Sequence, residues 1–356
     1  MSAILEVVDL TKHYPAGGNW FGPRRVVHAL DGVSFTLAPG ETLAVVGESG
    51  CGKSTLARCL MRLVDSTSGS VLLGGMEIAS GDQLRMRALR RQMQIVFQDP
   101  YASLNPRRTV FQLLSEPLRL HQVCARHERR AKAAELLAAV GLRADFLDRY
   151  PYELSGGQRQ RVAIARALAL HPRVIICDEP VSGLDVSVQA QVINLLRRLQ
   201  GDEGMSYIFI SHDLGLVLRI AHRVAVMYLG QIVELGDAKA LTRRVMHPYS
   251  QALFSATPVA DPSAAAGRRR IVLSGDLPSP IDLPAGCRFH MRCPYRQDIC
   301  VQRKPELNEV EGRLVRCHFA GEPGFPPAAG PNGHATTTHS TATDSAAARD
   351  VRATVA

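Results

Sequence analysis

The stretch Gly47-Glu48-Ser49-Gly50-Cys51-Gly52-Lys53-Ser54 follows the pattern G-x-x-x-x-G-K-S. It lies between the apolar segment 42–46, which has the composition of a buried strand, and a predicted helix from Lys53 to about Leu63. Glycines allow the backbone to curl so that successive N–H groups point inward and can bind a polyphosphate. The start of the helix adds partial positive charge. The sequence therefore predicts a phosphate-binding loop in which Lys53 contacts the β- and γ-phosphates and Ser54 binds Mg²⁺.

Two acidic residues follow a second apolar segment, Val174-Ile175-Ile176-Cys177, which is predicted to be a buried strand. The carboxyl ends of parallel strands are where ligand chemistry gathers in an α/β sheet. Asp178 would bind Mg²⁺ there, and Glu179 would orient or activate an attacking water, a role worth about 10²–10⁴-fold in rate. An acidic pair after a strand is by itself often only a solvated turn. Together with the phosphate loop, it predicts a nucleotide-hydrolysing site.

Strand-like and helix-like patterns alternate along most of the chain, which predicts an α/β core. Strands are expected at 4–14, 26–37, 42–46, 174–177 and 207–210, followed by a hairpin through Gly230. Helices are expected at 110–120, 126–140 and 188–199.

The composition limits the function classes. The chain has 356 residues and a net charge of +9, from 42 basic and 33 acidic residues. No apolar run approaches the ~18–20 residues that a membrane span needs, and the N-terminus lacks the pattern of a secretory signal. We therefore expect a protein that is neither integral to a membrane nor exported. The short basic clusters favour solvated helix faces, and the few aromatic residues do not alternate with them, which argues against single-strand nucleic-acid binding.

A second loop with the chemistry of an anion site is Leu154-Ser155-Gly156-Gly157-Gln158, which precedes an Arg-rich helix. One nucleotide does not need two phosphate-binding loops from the same chain. If two chains pack head to tail, the second loop of each chain can bind the nucleotide of the other. LSGGQ is the signature motif of the ATP-binding cassette (ABC) family, and the chain closely resembles such a cassette from about residue 4 to 255. The resemblance implies a P-loop NTPase fold: a RecA-like α/β core, an antiparallel β subdomain, and a helical subdomain at about 99–165 that carries the signature.

The resemblance also assigns individual residues. Tyr14 is similar to the aromatic residue that stacks on adenine, Gln98 to the Q-loop glutamine that contacts Mg²⁺, and His212 to the switch histidine that contacts the γ-phosphate. Asp185 resembles the D-loop aspartate, with Gly183 where alanine is commoner. The implied catalytic set is Glu179, His212 and Gln98, and the implied Mg²⁺ set is Ser54, Gln98 and Asp178. The implied nucleotide contacts are Tyr14, Gly47, Glu48, Ser49, Gly50, Cys51, Gly52, Lys53, Ser54, Thr55, Ser155, Gly156, Gly157, Gln158 and Asp185.

Three further stretches, 98–107, 247–253 and 286–294, are similar to the oligopeptide/dipeptide importer branch of the family. This resemblance implies a subunit that uses ATP and Mg²⁺ to energise peptide uptake, bound peripherally to the cytoplasmic face of the cell (inner) membrane. The implied partners are a second ABC ATPase subunit, two permease subunits and an extracytoplasmic solute-binding protein, with no nucleic acid. Nickel and glutathione importers belong to the same branch, so those cargoes stay open. A soluble ABC ATPase is disfavoured by the single phosphate loop and the ordinary spacing between it and the signature.

Four of the eight cysteines are clustered near the C-terminus: Cys287, Cys293, Cys300 and Cys317. Zinc sites typically pair cysteines two to four residues apart, whereas iron–sulfur clusters accept more varied spacings. The resemblance extends to this chain a [4Fe–4S] cluster that is associated with some members of the peptide-importer branch. Zinc, or four reduced cysteines in a small packed lobe, are the alternatives that the sequence leaves open.

The family resemblance implies the domain boundaries, and composition predicts the linker and the tail. The cassette would occupy residues 1–255 and the cysteine-containing C-terminal lobe residues 256–320, with a Pro-, Ala-, Gly- and Arg-rich linker at 258–286. Residues 321–356 have almost no large apolar side chains and are predicted to be disordered.

Overall fold

The structure, a computed structural model, describes residues 3–16, 25–78, 83–257 and 271–326. The strands in these ranges are β1 (Leu5–Ala16), β2 (Arg25–Leu37), β3 (Thr42–Val46), β4 (Ser68–Leu73), β5 (Met76–Glu77), β6 (Met93–Val96), β7 (Val174–Asp178), β8 (Ser206–Ile210), β9 (Arg223–Tyr228), β10 (Gln231–Asp237), β11 (Asn308–Val310) and β12 (Arg313–Val315). The α-helices are α1 (Lys53–Leu60), α2 (Gln83–Gln92), α3 (Pro100–Ser103), α4 (Val110–Leu120), α5 (Arg129–Ala139), α6 (Gly156–Leu168), α7 (Val186–Glu203), α8 (Leu214–Ile220), α9 (Ala238–Arg243), α10 (Pro248–Ser255) and α11 (Asp298–Gln302).

The larger sheet has eight strands in the order β11-β12-β10-β9-β3-β8-β7-β6. The five strands from β9 to β6 are parallel, and β10, β12 and β11 extend the sheet in antiparallel pairing. Every residue of β3, β7 and β8 is buried, as expected for parallel strands covered on both faces. The predicted α/β core is confirmed. Since β3 and β7 both flank β8, the phosphate loop and the acidic pair leave the same edge of the sheet.

The two faces of this sheet pack into different cores. On β3, Ala44 and Val46 join a cluster that contains the helices around α4 to α7, whereas Leu43 and Val45 join one that contains β1, β2 and β4. Alternation along a strand sends successive side chains to opposite faces. Strand β3, which leads into the predicted phosphate loop, is thereby fixed between a helical layer and a β layer.

The β layer is a four-stranded antiparallel sheet in the order β2-β1-β4-β5. Its β1–β2 pair places Tyr14 opposite Val27 and His13 opposite His28. Helices α3 to α6 fall in the range expected for the helical subdomain, and their apolar faces share the first cluster through residues such as Leu113, Leu137 and Val162. The domain boundaries themselves remain predictions.

Some helix ends differ from the sequence predictions for local reasons. Helix α1 ends at Leu60 rather than near Leu63, because Arg62 takes the left-handed conformation with φ of 48° and the helix cannot continue. Helix α5 begins at Arg129 rather than 126. Helix α7 is longer than 188–199 and ends at Glu203, because the following Gly204 takes a left-handed conformation with φ of 67° and caps the helix.

The C-terminal lobe is joined to the central sheet. The β11–β12 hairpin pairs with β10, placing Val315 opposite Glu234 and Leu314 opposite Leu235. Of the predicted linker, 271–286 is described without helix or strand and 258–270 lies outside the described residues. The predicted disordered tail also lies outside them from residue 327 onward, but Phe325 packs with its ring 5.6 Å from that of Phe319. No helix among the described ranges is both long and apolar enough for a membrane span.

Candidate active site

The phosphate loop is held closed by its own lysine. The Nζ atom of Lys53 donates to the carbonyl oxygens of Gly47 at 2.8 Å and Glu48 at 3.0 Å. Gly52 has a φ of 107°, and a Cβ there would lie 2.3 Å from the carbonyl oxygen of Ala29. A side chain at Gly47 would meet the carbonyl oxygen of Met227, also at 2.3 Å. The glycine spacing read from the sequence is therefore a steric requirement of the fold.

The predicted Mg²⁺ ligands meet beside this loop. The hydroxyl of Ser54 donates to Oδ1 of Asp178 at 3.2 Å, and Gln98 lines the same cleft. Burial raises the pKa of Asp178, the Ser54 hydrogen bond opposes that shift, and the neighbouring Glu179 charge adds to it. A hydroxyl and a carboxylate that burial makes costly to ionise fit a hard divalent cation, since Mg²⁺ prefers oxygen ligands and would offset the buried charge.

Glu179 lies at the centre of the predicted catalytic set. It directly follows β7 with a φ of 47°, a rare conformation for a non-glycine residue that aims its side chain into the cleft. Its Oε2 atom accepts from Nε2 of Gln98 at 3.0 Å and lies 3.1 Å from Nδ1 of His212. The three residues assigned to catalysis, far apart in sequence, thus meet at one carboxylate oxygen. Glu179 also lines the cleft beside Lys53 and Ser54 of the phosphate loop.

The nucleotide cleft has a volume of about 620 Å³ and a less polar end formed by β1 and β2. Tyr14, Val27 and Ala29 line that end, and Lys12 lies with Nζ 4.8 Å from the centre of the Tyr14 ring. An aromatic face between apolar side chains is suited to stacking on a base. The loop residues that also line the cleft are Ser49, Gly50, Gly52, Lys53, Ser54 and Thr55.

The signature motif lies in a second cleft of about 640 Å³. Ser155, Gly156 and Gly157 line it together with Asp185 of the D-loop, and Gln98 is shared with the first cleft. Gln158 is used locally: its Oε1 accepts from the Ser155 backbone N–H at 3.0 Å, while the Ser155 hydroxyl accepts from its N–H at 3.4 Å. This capping box presents the N-terminus of α6 toward the cleft. The structure therefore does not bring the signature to the chain's own phosphate loop.

The four C-terminal cysteines come together in the lobe. Burial raises the pKa of the Cys293 thiol to about 12. Three neighbouring thiols raise that pKa further: Cys287, Cys300 and Cys317. The lobe backbone turns tightly around them: the His290 N–H donates to the carbonyl oxygen of Cys287 at 3.0 Å, and the Cys287 N–H donates to the carbonyl oxygen of Cys300 at 2.8 Å.

Pro280 is a cleft residue that the sequence analysis missed. It lines the nucleotide cleft, and its carbonyl oxygen accepts from the His28 N–H at 2.9 Å. A proline in a Pro- and Ala-rich linker carries no sequence signal for this role, because the contact depends on how the lobe folds back over β2.

A second unpredicted group is formed by His13, His28 and Asp31, whose ligand-type atoms all lie within 4.8 Å of one another. Oδ2 of Asp31 also accepts from Gln231, from Arg288 and from Lys304. Two cations already neutralise this carboxylate, which opposes binding of a metal ion. We assign the group to the contact between the β1–β2 hairpin and the C-terminal lobe.

Comparisons with known proteins agree with this geometry. Residues 30–182 match the ABC transporter family, and residues 233–300 match the C-terminal region of oligopeptide/dipeptide transporters. The probable peptide ABC transporter ATP-binding protein y4tS of Sinorhizobium fredii is 55% identical over 89% of this chain and 90% of its own length. The chain belongs to the family of ABC transporter ATP-binding proteins. The dipeptide transport ATP-binding protein DppF of Escherichia coli is 52% identical over 88% of this chain and 93% of its own length.

Solved structures extend the agreement to the fold of this ABC ATPase. A dimeric ATP-binding cassette in a post-hydrolysis state with ADP and Pi has a TM-score of 0.59 and 30% identity, covering 66% of this chain and 98% of its own. The cbiO1 protein of Clostridium perfringens, part of the transporter complex cbiONQ, has a TM-score of 0.59 and 29% identity, covering 68% and 92%. The ABC resemblance, the cassette fold and the ATPase activity are confirmed, and ATP with Mg²⁺ is the cofactor pair of the family.

Proposed function

We propose that this ABC ATPase hydrolyses ATP to drive uptake of di- or oligopeptides across the cytoplasmic membrane. The observation that carries the cargo class is the C-terminal region at 233–300, of the oligopeptide/dipeptide transporter type, which supplies Pro280 to the nucleotide cleft. Relatives named for peptide transport share about half of their residues with this chain over nearly their whole length. Because the C-terminal lobe contributes Pro280 to the nucleotide cleft, we favour a peptide-importer subunit over a soluble ABC ATPase.

The chain would work as one part of a larger assembly. We propose a heterodimer with a second ABC ATPase, docked to two permease subunits through the region from Gln98 to Arg108, with a solute-binding protein on the outer side. This places the chain peripherally on the cytoplasmic face of the membrane. Tyr101 lies in that region with its side chain 64% exposed and the Arg159 guanidinium 3.8 Å from the centre of its ring, so a partner can reach its outer face.

In the proposed mechanism, the loop N–H groups and Lys53 bind the phosphates, and Tyr14 orients the base. Ser54, Asp178 and Gln98 would hold Mg²⁺, which when bound neutralises charge on the phosphates. Glu179 accepts a proton from the attacking water, while His212 and Gln98 fix its carboxylate at 3.1 and 3.0 Å. Positioning and charge stabilisation account for most of the acceleration of phosphoryl transfer.

Reconstitution tests this function. The complex of this chain with its second ATPase, permeases and binding protein, placed in vesicles, should take up a labelled dipeptide or oligopeptide only with MgATP. The Lys53→Ala variant should abolish uptake, because it removes the cation that holds the phosphates. Uptake of labelled Ni²⁺ or glutathione without peptide uptake would refute the peptide cargo. ATP hydrolysis without any transport would refute the importer role.

We further propose that Cys287, Cys293, Cys300 and Cys317 bind a [4Fe–4S] cluster. Four thiolates around one zinc ion at 2.3 Å would lie about 3.8 Å apart, yet in the described part of the chain no three of these sulfurs lie within 4.8 Å of one another. The wider arrangement favours a larger inorganic core over a single zinc ion.

Chemical analysis distinguishes the alternatives for these cysteines. Anaerobically purified chain should contain iron and sulfide and absorb visible light, and Cys293→Ser should lose all three signals. Cys124→Ser, at a cysteine remote from the lobe, is the control. Zinc in place of iron, or no metal together with unchanged stability of Cys293→Ser, would contradict the proposal.

A further inference from the structure

The second residue of the phosphate loop, Glu48, is tied into the loop through its backbone. Its carbonyl oxygen accepts from Nζ of Lys53 at 3.0 Å, and its N–H donates to the hydroxyl of Tyr249 at 2.9 Å. Any shift of Glu48 therefore moves the carbonyl that holds the Lys53 ammonium, and that ammonium is the charge intended for the phosphates. The position of Glu48 is thus coupled directly to the phosphate site.

The side chain of Glu48 is held from outside the cassette. Arg292, in the C-terminal lobe, donates from Nη1 to Oε2 at 2.7 Å and from Nη2 to Oε1 at 3.1 Å. The two side chains are only 9% and 31% exposed. A paired, planar contact of this kind fixes direction as well as distance, and it is stronger than a neutral hydrogen bond.

The backbone of Arg292 is anchored to a buried aromatic cluster. The Arg292 N–H donates to the carbonyl oxygen of Phe289 at 3.0 Å, and Phe289 is 1% exposed. The Phe289 ring packs 5.3 Å from that of Tyr228 and 5.5 Å from that of Tyr249. Tyr249 is the same residue that accepts from the Glu48 N–H. The lobe therefore holds the Glu48 carboxylate directly through Arg292, and it supports the Glu48 backbone only indirectly, through the packing of Phe289 on Tyr249.

We propose that Arg292 is a positioning residue for the phosphate loop: through its paired contact with Glu48, it holds the loop in the conformation that binds MgATP. The proposal rests on the assignment of residues 47–55 as the ATP phosphate loop. A site held ready before the ligand arrives loses less entropy on binding. The lobe would thereby set the affinity for MgATP, although all the residues assigned to catalysis lie in the cassette.

The kinetic signature of positioning differs from that of a catalytic role. Arg292 touches neither Glu179 nor His212, so its loss should weaken binding and leave the chemical step largely intact. Removing the guanidinium also leaves the Glu48 carboxylate unpaired in the loop that would bind the phosphates, so the loop becomes one charge more negative. Charge and geometry can be separated, because lysine keeps the charge but cannot make the paired contact.

The experiment measures steady-state ATP hydrolysis by the assembled complex and MgATP binding by the full chain. Arg292→Ala should raise KM by about tenfold, a change of about 1.4 kcal/mol, with kcat altered by less than about twofold. Arg292→Lys should restore part of the affinity. Arg292→Ala with Glu48→Ala should bind MgATP better than Arg292→Ala alone but remain weaker than wild type, since the loop is still not held. Arg296→Ala, at an exposed arginine of the same lobe, is the matched control.

Each outcome decides the proposal. A KM for Arg292→Ala equal to that of Arg296→Ala would overturn it. Full recovery in the double variant would also overturn it, because only the unpaired charge would then have mattered. If Arg292→Ala does not fold, as judged by its thermal unfolding curve, Arg292→Lys alone must still raise KM. A wild-type complex that fails to hydrolyse ATP would instead refute the proposed function.

Discussion

At the scale of the residue, Glu179 is the point at which the side chains assigned to catalysis meet. Its left-handed backbone is stabilised by the N–H bond to the carbonyl oxygen of Ile210 on the neighbouring strand β8, at 3.0 Å. Strained positions of this kind persist only when the surroundings fix them. The strand edge and two side-chain partners, Gln98 and His212, fix this one. A carboxylate held so firmly loses little entropy when it engages a water.

Glu179→Gln should leave ATP binding intact and slow hydrolysis by about 10²–10⁴-fold, because the amide cannot accept the proton of the attacking water. The measurements are MgATP affinity of the full chain and the hydrolysis rate of the assembled complex. Glu309→Gln, at an exposed acid of the lobe, should hydrolyse ATP normally. Wild-type turnover in Glu179→Gln would remove Glu179 from the catalytic role.

His247 gives a residue-scale prediction about pH. It is 1% exposed, its Nδ1 accepts from the Tyr249 N–H at 3.1 Å, and burial lowers its pKa from 6.5 to about 3. Between these two pKa values the unfolded histidine binds a proton and the folded one does not. Its contribution to the free energy of unfolding is therefore complete above pH 6.5 and falls by about 1.4 kcal/mol per unit as the pH drops toward 3.

Denaturant unfolding between pH 7 and 5 measures this slope. His247→Asn keeps an N-cap acceptor for α10 but cannot titrate, so its slope should be shallower than that of wild type. His127→Asn, at an exposed histidine, should retain the wild-type slope. Equal slopes in all three proteins would mean that His247 is not buried in its neutral form.

At the scale of the element, the signature helix α6 depends on close contact with α7. A Cβ on Gly157 would lie 2.4 Å from Cγ1 of Val188, and valine has little rotameric freedom in a helix. The capping box between Ser155 and Gln158 fixes where α6 begins. The signature glycine thus lets two helices approach closely.

Gly157→Ala should destabilise the protein by about 1–3 kcal/mol, the usual cost of forcing a methyl group into packed space. Gly201→Ala, in α7, is the control: no atom lies within 4 Å of its added Cβ, and alanine favours helix. The control should have an unchanged or slightly higher Tm in thermal unfolding. A Tm for Gly157→Ala at or above that of Gly201→Ala would show that α6 and α7 separate without cost.

At the scale of the whole molecule, each chain has two clefts that one nucleotide cannot fill together. The phosphate loop lines one and Ser155 to Gly157 line the other. Two cassettes facing each other head to tail would place each signature over the partner's phosphates. Gln98 lines both clefts, so its side chain can contact a ligand in either one. We therefore expect the complete catalytic site to form only in a dimer.

Ser155→Arg tests the composite site. MgATP binding by the isolated full chain should be unchanged, because the signature does not contact its own nucleotide, whereas hydrolysis by the assembled complex should fall to about half or less. The isolated wild-type chain should hydrolyse ATP slowly. Weakened MgATP binding in isolated Ser155→Arg, or rapid hydrolysis by a monomer regardless of concentration, would contradict the dimeric site.

The sequence by itself determined the groups that act through contiguous residues. The phosphate loop, its helix and the signature cap could be predicted because their glycines, lysine and serine work at fixed short spacings, and such spacings fix local backbone geometry. The strand before Asp178 was equally clear, since a parallel strand buried on both faces must be apolar throughout. Tyr14, Gln98 and His212 were found only through resemblance to a family, because a single such residue has no local pattern.

Only the tertiary structure decided which distant residues meet. Gln98 and Glu179 lie 81 positions apart and Arg292 and Glu48 lie 244 apart, and no periodicity links either pair. The attachment of β12 to β10 and the entry of Pro280 into the nucleotide cleft were likewise absent from the sequence signal. The physical reason is that these contacts depend on strand order and on how two cores pack against one sheet, and both are settled by summed burial over the whole chain.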